Sequence, residues 1–116
     1  MGNPIAHFEI IGKDKKALSD FYSSVFEWKI DPVMDEYSLV NTGSGIGGGI
    51  GGMNEERRHV TFYVAVDDIV AKLAEIESKG GKTAFGPHPI PAGGFFAGFE
   101  DPEGHLIGLM QGPPEK

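Results

Sequence analysis

Apolar and polar residues alternate from Ile5 to Ile11, which places His7, Glu9 and Ile11 on one face of a strand and Phe8 and Ile10 on the other. Gly12 breaks the pattern. Asp14 is an N-cap residue type, and Leu18, Phe21, Tyr22 and Val25 then recur at helical spacing, predicting an amphipathic helix to about Phe26 whose apolar stripe covers a sheet. Trp28 to Val33 and Tyr37 to Val40 read as short strands around the turn-forming Met34-Asp35-Glu36. Gly43 to Gly52 reads either as a strand with little side-chain bulk, leaving room for a ligand, a bend or a partner chain, or as a loop.

From His59 the order repeats. Val60 to Val66 predicts a strand with Thr61 and Tyr63 on one face and Phe62, Val64 and Val66 toward the helices. Asp67 or Asp68 caps a helix striped by Ile69, Leu73 and Ile76 and ended by Gly80-Gly81. Lys82 to Phe85, Gly94 to Phe99 and His105 to Met110 read as strands. Gly86 to Pro91 reads as a loop and Asp101-Pro102-Glu103-Gly104 as a tight turn.

Each half is thus strand, helix, then three strands. The halves align at an offset of 54, His7-Phe8 with Thr61-Phe62 and Asp14 with Asp68, and at an offset of 60 in their last strands, Gly48 with Gly108 and Ile50 with Met110. The expected fold is α+β, one domain over residues 1–116 made of two βαβββ modules, about 5–52 and 58–111, with curved mixed sheets enclosing a cavity. That cavity is the expected ligand site.

Composition narrows the chemistry. The chain has no cysteine, so a metal would need His, Asp or Glu ligands. A net charge of −7, with Lys15-Lys16 and Arg57-Arg58 the only basic pairs, argues against nucleic acid as a partner. No run approaches the roughly 18 apolar residues of a membrane span, and no basic-then-apolar leader opens the chain, so a cytoplasmic protein is expected. Gly47-Gly48-Gly49-Ile50-Gly51-Gly52 fits GxGxxG by spelling but precedes no helix, so a dinucleotide site is not expected.

His7 with the later Phe21-Tyr22 and Val25-Phe26-Glu27-Trp28-Lys29, then Tyr63-Val64-Ala65-Val66-Asp67-Asp68, Gly80-Gly81-Lys82, Gly86-Pro87 and Phe99-Glu100-Asp101-Pro102-Glu103-Gly104-His105, resemble the vicinal-oxygen-chelate family of glyoxalase I, bleomycin-resistance proteins and extradiol dioxygenases. The resemblance runs from His7 to Met110. It implies a homodimer and, in many members, a divalent metal held at four matched strand positions, filled here by His7, Thr61, Gly48 and Gly108. A single imidazole does not retain such an ion. The family's usual metal centre is therefore not expected.

Three functions stay open. One is a small-molecule-binding protein without that metal centre. Another is a metal-dependent lyase or dioxygenase built on His7 with non-standard ligands, Glu9 and the weaker candidate His59 among them. An interaction module with a vestigial cavity is a third. His7 and Glu9 are the catalytic candidates if there is catalysis, and His7, Glu9, Trp28, Tyr37, Gly48, Thr61, Tyr63, Phe96 and Gly108 are the expected ligand-binding set. His88 and His105 read as surface residues. No Gly-x-Ser-x-Gly elbow or HExxH helix is present, so hydrolase and zincin readings have no support.

Overall fold

The computed structural model describes residues 2–52, 59–91 and 93–112. The Arg57-Arg58 pair and the start of the second module at 58 lie outside them. Two compact units emerge, one of Ala6–Phe62 and the other from Tyr63 onward together with the residues up to Ile5.

In the first, strand β1 (Ile5–Gly12) leads to helix α1 (Lys15–Phe26), then β2 (Lys29–Met34), β3 (Tyr37–Asn41) and β4 (Gly47–Gly52). Asp14 does cap α1, its Oδ1 accepting from the Ala17 amide at 3.0 Å. β1 pairs in parallel with β4, which pairs antiparallel with β3, and β3 with β2. The Gly-rich stretch is therefore a central strand, in register with β1 so that Phe8 opposes Gly48 and Glu9 opposes Gly49.

The second unit repeats this order. β5 (His59–Ala65) enters from the first unit, followed by α2 (Ile69–Ser78), β6 (Lys82–Pro89), β7 (Phe95–Glu100) and β8 (Leu106–Gln111). β5 pairs in parallel with β8, β8 antiparallel with β7, and β7 with β6. Asp68 caps α2 through Ala71 at 3.1 Å, and the Gln111 side chain accepts from the Ile69 amide at 2.7 Å. The fold is α+β, a βαβββ order used twice.

One sequence expectation is corrected here. Gly86 to Pro89 is not a loop but the end of β6, where Pro87 falls within the register shift between Phe85 and His88 and Pro89 is the strand's last residue, opposite Phe95. The Asp101 turn forms as expected. Its Oδ1 accepts from the amides of Glu103 and His105, and those backbone bonds hold the Asp101 carboxyl below its ordinary range.

The halves differ in packing. α2 buries Ile69 and Leu73 against Val66, Ala97 and Leu109. α1 buries no residue, and Phe21, Val25 and Phe26 are each more than half exposed. Its expected stripe reaches the sheet only in part. Tyr22 stacks on Trp28 at 5.4 Å, and Trp28 packs on Phe8 at 5.5 Å.

Candidate functional site

Alternation along β1 carries His7 and Glu9 to one face, and Tyr37, at the start of β3, reaches across β4 to meet them. The Tyr37 hydroxyl lies 2.9 Å from His7 Nε2 and donates to Glu9 Oε2 at 3.0 Å. Because the phenol has one proton and Glu9 receives it, His7 Nε2 must carry a hydrogen and donate to the phenol oxygen, which fixes the imidazole tautomer. Glu9 Oε1 faces His59 Nε2 at 3.7 Å. Four polar side chains thus form a continuous row on one face, with the His59 side chain 31% exposed and that of Glu9 13%.

β4 explains why the tyrosine fits. A Cβ on Gly49 would coincide with the Tyr37 hydroxyl and ring end, and one on Gly51 would come within 3.2 Å of Tyr37 Cδ1. The bare face of the glycine strand is thus filled from within by Tyr37. Burial pushes the His7 imidazole below its ordinary pKa of 6.5, outweighing the opposing pull of the Glu9 carboxylate. His7 is accordingly neutral near pH 7, with its one ring hydrogen on Nε2.

A pH dependence follows. With the folded-state pKa below the unfolded value, protons bind the unfolded chain more readily, so this contribution to stability is complete above about pH 6.5 and declines as pH falls toward the lowered folded value. Among the described residues, Tyr37 is bonded to His7 and the Glu9 carboxylate acts on it electrostatically. Urea midpoints taken between about pH 7.5 and about pH 5.5, above the carboxylate range, should fall on acidification, and the fall should be smaller in His7→Asn. Equal slopes for the two proteins would refute this assignment.

Of the expected ligand-binding set, His7, Glu9 and Tyr37 come together. Gly48 does not join them. Its Cβ would meet the Phe8 ring at 2.5 Å, so it belongs to the opposite face. Gly49 opposes Glu9 as Gly108 opposes Tyr63, and the true match between the halves is one residue later than the sequence alignment placed it. In a run of glycines no side chain marks the face, and a one-residue slip inverts it. Trp28 is likewise absent from this row, because it is held among Phe8, Tyr22 and Phe26 beside α1.

Thr61 and Tyr63 are buried on a common face of β5. In the second unit the Tyr63 ring covers Gly108, the Phe85 ring covers Gly98, and these two glycines are paired neighbours. Phe96 sits 6.1 Å from Phe85 and 5.4 Å from His88, which also stacks on Phe85. His88 is therefore part of an aromatic group, and His105 is paired with Asp101 at 3.0 Å. Sequence reasoning overlooked the contact between Tyr37 and Glu9, whose only trace was an aromatic residue at the start of the strand before a glycine run. A groove of about 570 Å³ in the first unit, lined by residues including Ile10, Leu18 and Val60, shares His59 alone with the polar row.

A family model for the Glyoxalase/Bleomycin resistance protein/Dioxygenase superfamily matches residues 4–109. Among solved structures, a hypothetical protein from Bacillus halodurans C-125 aligns with a TM-score of 0.74 at 14% identity over 100% of this chain and 99% of its own. The methylmalonyl-CoA epimerase from Mycobacterium tuberculosis aligns at 0.70 with 14% identity over 95% and 88%. The Mn(II)-bound glyoxalase from Novosphingobium aromaticivorans aligns at 0.69 with 21% identity over 98% of this chain and 42% of that one. At such identities the likeness shows the fold alone. No curated protein matches the chain. With the repeated βαβββ order and a model match spanning nearly its whole length, the chain belongs to the Glyoxalase/Bleomycin resistance protein/Dioxygenase superfamily.

Proposed function

We propose that the protein binds a small organic molecule on the His7–Tyr37–Glu9 face of its first half, through hydrogen bonds and without a metal centre. The observation that carries this reading is the bridging phenol. A partly buried carboxylate, a phenol and a neutral imidazole locked in fixed orientations are the convergent polar groups that orient a ligand.

The Mn(II) in one structural relative makes a metal the first alternative to weigh. Divalent first-row ions need several N or O ligands at about 2.0–2.2 Å around one point. Here the phenol oxygen stands between His7 and Glu9 and is bonded to both, while the matched glycine, Gly49, brings no side chain. Among the described residues, no three His, Asp or Glu side chains are arranged to hold an ion. The residues do not fit the group, so the lyase and dioxygenase readings would require His7 and Glu9 to turn away from Tyr37.

The test is a ligand-observed NMR screen of small organic molecules against the wild-type protein, with hits repeated on Tyr37→Phe. Hits should perturb His7 and Tyr37 resonances and weaken by about tenfold in the variant, the loss of one charge-assisted hydrogen bond. Hits that leave those resonances unmoved would sink the reading.

A further inference from the structure

We propose that the groove beside α1 is a second ligand site, separate from the polar row, and that it takes one small molecule with an apolar body and a carboxylate head. Its volume of about 570 Å³ falls in the range of small-molecule sites. Two turns of a helix about 10 Å across fill roughly 850 Å³, so a partner's helix does not fit inside it. Its walls are the end of β1 at Ile10, the first turns of α1 at Ala17 and Leu18, and the start of β5 at Val60, which is 74% exposed. Covering these side chains favours binding in proportion to the apolar area removed from water.

The two helices explain why the groove is open. At the offset of 54 that aligns their caps, Ile69 and Leu73, which α2 buries, correspond to Lys15 and Ser19 in α1. Where α2 sends apolar side chains into its sheet, α1 sends the Lys15 ammonium to the Ser38 hydroxyl at 3.3 Å. Ala17 and Leu18 are left to line the groove, and Leu18 closes its floor, with Cδ1 lying 2.8 Å from where a Cβ on Gly12 would stand. Charge at the rim selects the head group. Lys13 and Asp14 both line it, but Asp14 Oδ1 already accepts from the Ala17 amide at 3.0 Å, whereas Lys13 forms no ion pair among the described residues. The charge left to be matched is positive, and a carboxylate matches it.

The experiment titrates the full chain with decanoate and with decanol, each kept below the concentration at which it aggregates, and follows backbone amide resonances. Decanoate should saturate at one molecule per chain and shift Ile10, Leu18 and Val60. Ala17→Phe and Val60→Trp put a ring into the groove from exposed positions, and each should weaken decanoate by at least about tenfold with an unchanged far-ultraviolet dichroism spectrum. Lys13→Met should weaken decanoate about threefold and leave decanol unchanged, and Tyr37→Phe should change neither. Undiminished decanoate binding in either folded groove variant overturns the site. Equal effects of Lys13→Met on the two ligands overturn the carboxylate preference, and a loss in Tyr37→Phe would put decanoate on the polar row, leaving the groove without a ligand. Resonances of Ile10, Leu18 and Val60 that move when the protein alone is concentrated would make a second copy the occupant, which also overturns the proposal.

Discussion

Gly49→Ala should destabilise the protein by about 2–4 kcal/mol, although replacing a glycine by alanine at a compatible strand position ordinarily stabilises by about 0.4–1 kcal/mol. The sign reverses because the new Cβ would occupy the place of the Tyr37 hydroxyl and ring end. If the ring leaves, the hydrogen bonds to His7 and Glu9 break, and a largely buried carboxylate loses a donor, which costs about 1–3 kcal/mol beyond the steric term. Urea denaturation of Gly49→Ala in wild-type and Tyr37→Ala backgrounds measures this directly. In the second background the penalty should shrink to under about 1 kcal/mol, since the atoms it collides with are gone. A penalty of the same size in both would show that Tyr37 is not what Gly49 accommodates.

The second large effect lies in the other half. Leu109, 2% exposed, packs with Val66, Ile69, Leu73 and Ala97 beneath α2, and Leu109→Ala should cost about 3–4 kcal/mol through lost transfer energy and the cavity left behind. Phe21→Ala, which removes a larger side chain from α1, should cost under about 1 kcal/mol because Phe21 is 56% exposed. Denaturation midpoints of the two variants check the contrast. A Phe21→Ala loss equal to that of Leu109→Ala would mean that α1 is covered in solution by a surface outside this chain.

Most of this architecture was legible because the local signals agreed with one another. Asp14 and Asp68 each cap the helix that their spacing announced, and period-two alternation in β1 put His7 beside Glu9. β6 was misjudged at its end because prolines usually close a strand, and only pairing with β7 shows that the register shifts let it continue. The site was half legible. Alternation can say that two residues share a face within a strand, but the approach of Tyr37 depends on tertiary pairing across the glycine strand, where the face of Gly48 could not be told from that of Gly49.

The composition of β4 has a thermodynamic consequence for the half that carries the polar row. Glycine surrenders more backbone entropy on ordering than any other residue, about 0.5–1 kcal/mol relative to alanine, and five of the six positions in β4 are glycine. The strand therefore forms against a penalty on the order of 2.5–5 kcal/mol, while α1 contributes no buried side chain to offset it. Amide exchange should accordingly open the first half at lower free energy than the α2 core. A molecule held by His7, Tyr37 and Glu9 would stabilise the ordered form in proportion to its concentration, so that occupancy and protection of β4 rise together.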